Sequence, residues 1–408
     1  MVLNRAGGSG AFPPGTVLLA GGGTAGHLAP GFALKDALAA RGVPVRFVTP
    51  GEARERAWFP HGEPEPFHVA APRLPRGAFP AAAFPARMAA SVHEALFMLR
   101  RTRPAAVVAL GGWPCAPTAI AAIVAGVPLA LVAVDAVAGV VVRRLSRFCG
   151  RVYLAFPEAA QGLAHAEAAV VVGPFLRPGL AGARRDPARF GLDPARRTLF
   201  AVGGSLGAKG LNDVVLAGLG CAVGRDPALA REVQVIHSTG PGDEARVTAA
   251  YAQLGVRAHV VPFVAAMGEA LATADLVLCR GGASTLAEVA ALARPAVVVP
   301  YPHHEDRQQW KNAAPLVRSG LAVVVEEAGL DPATFAREVV ERLRRGGAPV
   351  DEGGGAPGAP AARGAAAAAD DLVRWMEGEG RGAPSGRSSV RRASPSGAPS
   401  SPAGSRCS

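Results

Sequence analysis

Short apolar runs alternate with longer Ala-rich stretches along most of this chain. "TVLLA" (Thr16 to Ala20) reads as a strand, "LAPGFALKDALAARG" as a helix ending at Gly42, and "VPVRFVT" as a second strand. "AAVVAL", a helix from Pro117, "PLALVAV" and "RVYLAF" continue the alternation. The second half restarts with "TLFAVGG", a helix from Lys209, "VQVIHSTG", "AHVVPFV", "ADLVLCRGG", a helix from Ser284, "PAVVVPYP" and "LAVVVEE". These strands are apolar throughout, without the polar alternation of a half-exposed sheet. That pattern predicts parallel sheets covered by helices on both faces.

Each half opens with a strand running into a Gly-rich turn, so the expected fold class is α/β with twin Rossmann-like domains. The join falls in the Pro-, Gly- and Arg-rich stretch from Gly173 to Pro194. The expected boundaries are an N-terminal segment 1–14, a first domain 15–175, a second domain 176–350, a connection with a final helix 351–376, and a basic tail 377–408. That tail has almost no apolar residues and is expected to be disordered. Residues 119–142 are apolar enough to imitate a membrane span. Gly126 and Pro128 interrupt them, so a helix followed by a buried strand is the better reading.

Composition narrows the classes. The formal net charge is +11, almost all of it arginine, because Lys35, Lys209 and Lys311 are the only lysines. Five charges, Arg381, Arg387, Arg391, Arg392 and Arg406, sit in the tail, and the rest form no basic stripe interleaved with aromatics. Nucleic acid is therefore not an expected partner. The five cysteines lie far apart without a C-x-x-C pair, which argues against a zinc site or a disulfide framework and for a reduced, cytosolic setting. No apolar h-region follows Arg5, so no signal peptide is expected.

Four turns carry the candidate chemistry: "GGGTAGH", "LGGWPCAP", "VGGSLGAKG" and "CRGGASTLAE". Gly-rich strand-to-helix turns present backbone N–H groups at a helix N-terminus, where the dipole favours phosphate. Gly21, Gly23 and Gly26 have the dinucleotide spacing. The acid that should end the second strand is missing, however: Thr49 and Pro50 stand there, and Glu52 lies beyond. In "CRGGASTLAE", Ser284 is placed to cap a helix and Glu288 sits one turn inside. Glu288 can accept ribose hydroxyls, or the pair can be an ordinary capping arrangement. "PYPHHEDRQQWKNA" then gathers polar residues after a buried strand, where open α/β sheets bind ligands. His303 and His304 are adjacent and share no helix face, so they make a poor metal site.

Together with "GRVYLAFPEA", "VVGPFLRP", "HSTGPGD", "VPFVAAM" and "EDRQQWKNA", these stretches resemble the MurG family from about Thr16 to Glu327. That family comprises the UDP-N-acetylglucosamine transferases that complete lipid II in peptidoglycan synthesis. The resemblance implies a GT-B glycosyltransferase, inverting and independent of metal or other cofactor. The chain has no D-x-D motif, in keeping with this. The implied partners are UDP-GlcNAc, the lipid I acceptor and the anionic inner-leaflet surface, with the protein peripheral on the cytoplasmic face of the membrane.

The resemblance also assigns roles. Ser205 and Arg177 lie near the diphosphate and sugar, Val264 near uracil, and Ala283, Ser284, Thr285, Leu286, Ala287 and Glu288 around phosphate and ribose. Gln308 and Gln309 read the GlcNAc hydroxyls, and Thr24, Ala25, Gly26 and His27 close over the reaction centre. His27 and Asp135 are the candidates for the base that deprotonates the acceptor hydroxyl. Asp135 also marks a departure: "VAVD" (Val132 to Asp135) replaces the family's H-E-Q-N, so a carboxylate stands where an asparagine meets the donor sugar. Ala25, Leu206 and Ser238 depart from the pattern as well. The altered loop leaves open a related transferase with another acceptor, or a UDP-sugar-binding paralogue without turnover. "RLPRGAFPAAAFPARM" offers Phe79 and Phe84 with Arg76 and Arg87 as a membrane contact, or as a Pro-rich loop packed inward.

Overall fold

The computed structural model describes residues 13–23, 25–52, 55, 58–59, 63–73, 78–177, 179–204, 207–302, 307–346, 363–378 and 391–392. The first domain is one parallel sheet built from β1 (Val17–Ala20), β2 (Val45–Thr49), β3 (Phe67–His68), β4 (Ala106–Ala109), β5 (Leu129–Ala133), β6 (Arg151–Leu154) and β7 (Ala169–Val171). The second holds β8 (Arg197–Val202), β9 (Val233–Ser238), β10 (Arg257–Val261), β11 (Leu276–Cys279), β12 (Ala296–Val298) and β13 (Ala322–Val324). Strands run in the order β3-β2-β1-β4-β5-β6-β7 in one sheet and β10-β9-β8-β11-β12-β13 in the other. Both orders reverse beside the opening strand, and that reversal creates a crevice at the carboxyl ends of the strands. The doubly wound twin-sheet fold expected from the apolar runs is the one observed.

The helices cover these sheets on both faces. In the first domain they are α1 (Ala25–Ala39), α2 (Ala78–Thr102), α3 (Ala116–Ala125) and α4 (Val140–Leu145). In the second they are α5 (Lys209–Arg225), α6 (Leu229–Glu232), α7 (Glu244–Leu254), α8 (Met267–Thr273), α9 (Ala283–Ala291), α10 (Gln308–Arg318), α11 (Pro332–Phe335) and α12 (Glu341–Arg344). The run that imitates a membrane span is α3 followed by β5, divided at Gly126 in the left-handed conformation. Among the described residues, no helix is long and apolar enough to cross a membrane.

Three local features differ from the sequence reading. The Pro-rich "AFPAAAFPARM" is the start of the 25-residue α2, which continues through Pro85. Helix α9 begins one residue early, with Gly282 as its N-cap and no side-chain cap bond, so Ser284 does not cap it. In the tail, Arg391–Arg392 pair with β7 as a two-residue parallel strand, β14, taking up free backbone groups on that edge. The rest of the tail lies outside the described residues.

The final helix, α13 (Gly364–Met376), returns to the first domain. Its Ala368, Ala369, Leu372 and Trp375 enter the same core cluster as Val17, Leu19 and Val108. Gly150 leaves room for the Trp375 ring, which a Cβ there would strike. The seam is polar at its rim. Arg151 Nε donates to Asp371 Oδ2 at 2.8 Å, the Tyr153 hydroxyl donates to the same oxygen at 3.1 Å, and Arg41 Nε donates to Asp370 Oδ1 at 2.7 Å. Burial, with Asp371 alongside, pushes the Tyr153 phenol well above its ordinary value, so it remains a donor.

Removing one acceptor here strands two donors in a largely buried place. Asp371→Ala is expected to cost about 2 kcal/mol, read as a lower midpoint of thermal unfolding. An unchanged midpoint would show that α13 is held by its apolar face alone.

Candidate active site

On the first domain's side, β1 ends in the turn Gly21 to Gly23, and α1 follows with His27 in its first turn. Two amides of this turn are already engaged, Gly21 N donating to the Val48 carbonyl at 3.0 Å. Glu55, 2% exposed, accepts from Gly23 N through Oε1 at 2.7 Å. Its Oε2 accepts from Gly51 N at 3.0 Å and Glu52 N at 3.1 Å. A carboxylate of the chain itself thus occupies the place where the spacing alone would put a pyrophosphate.

The half-buried His27 ring lies against the Cα of Gly112, where any Cβ would run into it. Burial lowers the proton affinity of His27 below the ordinary imidazole value. The Asp135 carboxylate and a hydrogen bond with the Gly22 backbone act in the opposite direction. The structure therefore brings His27 and Asp135, from the ends of β1 and β5, into one electrostatic neighbourhood.

On the facing side, β11 runs into the turn at Gly281 and Gly282, and α9 carries Glu288 one turn in. Glu288 is 2% exposed. Its Oε1 accepts from Arg177 Nε at 2.7 Å, while Oε2 has no hydrogen-bond partner among the described residues. Burial raises the Glu288 carboxyl above the usual carboxylate range, and Arg177 opposes this by favouring the ionised form. Gln309 Oε1 accepts from Gly281 N at 3.1 Å and Tyr301 N at 2.7 Å, tying two strand ends together. That leaves its Nε2 as the donor toward a ligand. Gly281 must be glycine here, because a Cβ would collide with the Gln309 backbone.

Two contacts join the sides. Ser284 Oγ, in the first turn of α9, donates to the Gly26 carbonyl at 3.2 Å. Asn312, on α10 and 1% exposed, does more. Its Nδ2 donates to Asp135 Oδ1 at 2.9 Å and to the Gly281 carbonyl at 3.0 Å, and its Oδ1 accepts from Ala136 N at 2.8 Å.

The structure places the expected site residues in different ways. Gly26 meets Ser284, Asp135 meets Asn312, and the Asp135 charge acts on His27. Ala283, Thr285, Ala287 and Glu288 lie on α9, Gln308 and Gln309 open α10, and Ala25 opens α1. Val264 and Leu286 bury their side chains in the second domain's core, leaving only backbone toward a ligand. Arg177 spends its Nε on Glu288. Thr24, Ser205, Arg76 and the pair His303 and His304 lie outside the described residues. Of the expected membrane contacts, Phe84 is half-buried against Trp113 at 5.9 Å between ring centroids, and Arg87 is exposed. Phe79 falls in the first turn of α2.

Sequence reasoning missed Glu55, Asn312 and a buried network under the third turn. In that network, His237 meets the Tyr251 hydroxyl at 2.8 Å and Asn212 at 3.1 Å. Burial pulls His237 down to about 4, so it is neutral and structural.

Two facing Rossmann-like sheets with this crevice define the GT-B fold of nucleotide-sugar glycosyltransferases. The comparisons agree. The glycosyltransferase family 28 N-terminal domain matches residues 17–154 and the family's C-terminal domain matches 198–349. A UDP-N-acetylglucosamine–N-acetylmuramyl-(pentapeptide) pyrophosphoryl-undecaprenol N-acetylglucosamine transferase of Acidovorax sp. (strain JS42) is 37% identical over 332 residues, covering 81% of this chain and 80% of that protein. Its namesake in Sorangium cellulosum (strain So ce56) is 38% identical over 338 residues, 79% of each chain. Among solved structures, MurG of Acinetobacter baumannii superposes with a TM-score of 0.59 at 24% identity, covering 89% of this chain and 98% of that one. The S. aureus MnaA co-structure with UDP gives 0.62 at 11% identity, covering 89% and 97%. The chain belongs to glycosyltransferase family 28, among the MurG-type N-acetylglucosamine transferases.

Asn312→Ala removes the acceptor of the Ala136 amide together with both donors to the cleft walls. Amide hydrogen exchange at Ala136 is expected to quicken about tenfold or more. An unchanged rate would mean that the cleft is held shut by other contacts.

Proposed function

We infer that this chain transfers N-acetylglucosamine from UDP-N-acetylglucosamine to the C4 hydroxyl of N-acetylmuramyl-(pentapeptide) pyrophosphoryl-undecaprenol, turning lipid I into lipid II. The observation that carries this reading is the buried Oε2 of Glu288, without a partner among the described residues, one helical turn inside the Gly281–Gly282 turn. A carboxylate oxygen there is of the right kind to accept a ribose hydroxyl, while the N-terminus of α9 receives the diphosphate. Gln308 and Gln309 open the adjacent α10 and supply amides for the sugar hydroxyls.

Inversion requires one displacement at the anomeric carbon. The acceptor oxygen bonds to that carbon as the bond to the UDP β-phosphate oxygen breaks, and the acceptor hydroxyl gives up its proton. His27 suits the role of base because burial keeps it neutral near pH 7. Asp135 suits a supporting role: Asn312 holds its Oδ1, and its charge favours the imidazolium that forms. The departing diphosphate draws its stabilisation from helix N-termini and backbone amides.

The polyprenyl tail of such an acceptor calls for a peripheral encounter with the cytoplasmic face of the membrane. The exposed Arg87 on α2 supports the start of that helix as the contact.

The direct test is UDP release by the purified protein with the lipid acceptor, with an unrelated acceptor and with none. Release no greater with the lipid acceptor than without it rejects the reading. For the donor site, Glu288→Gln is expected to weaken UDP binding about tenfold or more while leaving 2′,3′-dideoxy-UDP unaffected, by titration calorimetry. Equal losses for both nucleotides would remove the ribose contact.

For the base, kcat is expected to fall on the acid side as His27 protonates, with the limb below the ordinary imidazole value of 6.5. His27→Ala is expected to lower kcat by about 10²–10⁴. Asp135→Asn removes a contribution that raises the His27 value, so the acid limb should move to lower pH. A limb that stays in place would break the proposed pairing.

A further inference from the structure

Beside the reaction centre, a cavity of about 460 Å³ lies between the two domains. The first domain lines it with the Ala136–Ala138 loop and Arg143, and with Phe156 and Glu158 beyond β6. The second lines it with the face of α10 that carries Lys311, Pro315 and Arg318. Arg143, Lys311 and Arg318 therefore converge from two domains against one carboxylate, Glu158. Among the described residues none of these three cations makes an ion pair or hydrogen bond with an acid, although other arginines of this chain do so repeatedly. The cavity thus presents unneutralised positive charge together with apolar wall from Ala138, Phe156 and Pro315.

Its position is as informative as its charge. Ala136, which lines the cavity, directly follows Asp135 and has its amide held by Asn312, while Lys311 directly precedes Asn312. The cavity begins one residue, about 3.8 Å along the chain, from the carboxylate assigned beside the base. A pentapeptide stem spans about 17 Å when extended, long enough to run from a sugar at Asp135 into this space. Such a stem ends in a carboxylate, and a fork of arginine and lysine side chains is suited to receive it.

Resting on the transferase reading above, we propose that this interdomain cavity is the acceptor's peptide subsite, with Lys311 and Arg318 of one domain and Arg143 of the other binding the stem's terminal carboxylate. Because the cations come from both domains, a seated stem draws the cleft together around the reacting sugars. The pyrophosphate of the acceptor is the competing anion, and it is separated from the carboxylate by the test.

The test compares two acceptors that differ only at the end of the stem, one with a free carboxylate and one with a carboxamide. For the Lys311→Ala/Arg318→Ala double variant, KM for the free-acid acceptor is expected to rise about tenfold, with KM for UDP-N-acetylglucosamine unchanged. The unaltered protein should already show the raised KM with the carboxamide acceptor, and the double variant should add little to it. Arg143→Gln, on the other domain, should reproduce the effect singly and more weakly, which guards against a folding defect of α10. The rise in KM with ionic strength should also shrink in the double variant. An equal loss with both acceptors assigns the cations to the pyrophosphate and overturns the proposal, as does an unchanged KM for the free acid. Absence of transfer by the unaltered protein to either acceptor instead removes the transferase reading on which the proposal rests.

Discussion

A single buried amide holds the two halves of this protein in register. Asn312 reaches from α10 to Asp135, to the Ala136 amide and to the Gly281 carbonyl. With the Ser284 bond to Gly26, it fixes how far the glycine turns of one sheet stand from those of the other. Each sheet could fold around its own core without this contact, since both have complete apolar clusters. What depends on it is the crevice itself: the distance between His27 on α1 and Glu288 on α9. Asn312 can do this because its side chain both donates and accepts, so it satisfies groups of either kind on facing walls.

The fold was legible because parallel strands buried on both faces leave an unmistakable trace of unbroken Val, Leu and Ala. The Gly-rich turns were legible for a related reason, since close backbone approaches tolerate nothing larger. Glu55 was not legible. It follows β2, and its role depends on a turn 32 residues earlier that no local spacing connects to it. Asn312 stood in a stretch already singled out, but its partners lie 31, 176 and 177 residues away. The helical start of α2 was hidden by its prolines, although one of them falls in the first turn, where a missing N–H forfeits no intrahelical bond.

The departure at Asp135 gains meaning from its surroundings. A carboxylate near a diphosphate costs electrostatic energy unless its charge is used. Here one oxygen is held by an amide, and the charge bears on the proton affinity of a half-buried histidine. An acid at this position therefore bears on the electrostatics of His27 while accepting a hydrogen bond from Asn312. The same residue that unsettles a comparison by motif is, in three dimensions, part of a consistent set.

The docking of α13 on the first domain has a consequence for the order of assembly. The chain leaves that domain after β7, builds the second domain, and only then supplies α13, whose Ala368, Ala369, Leu372 and Trp375 belong to the first domain's core. As the chain is synthesised from its N-terminus, the first sheet therefore waits for the last helix, and its core closes only after every strand of the second has been made.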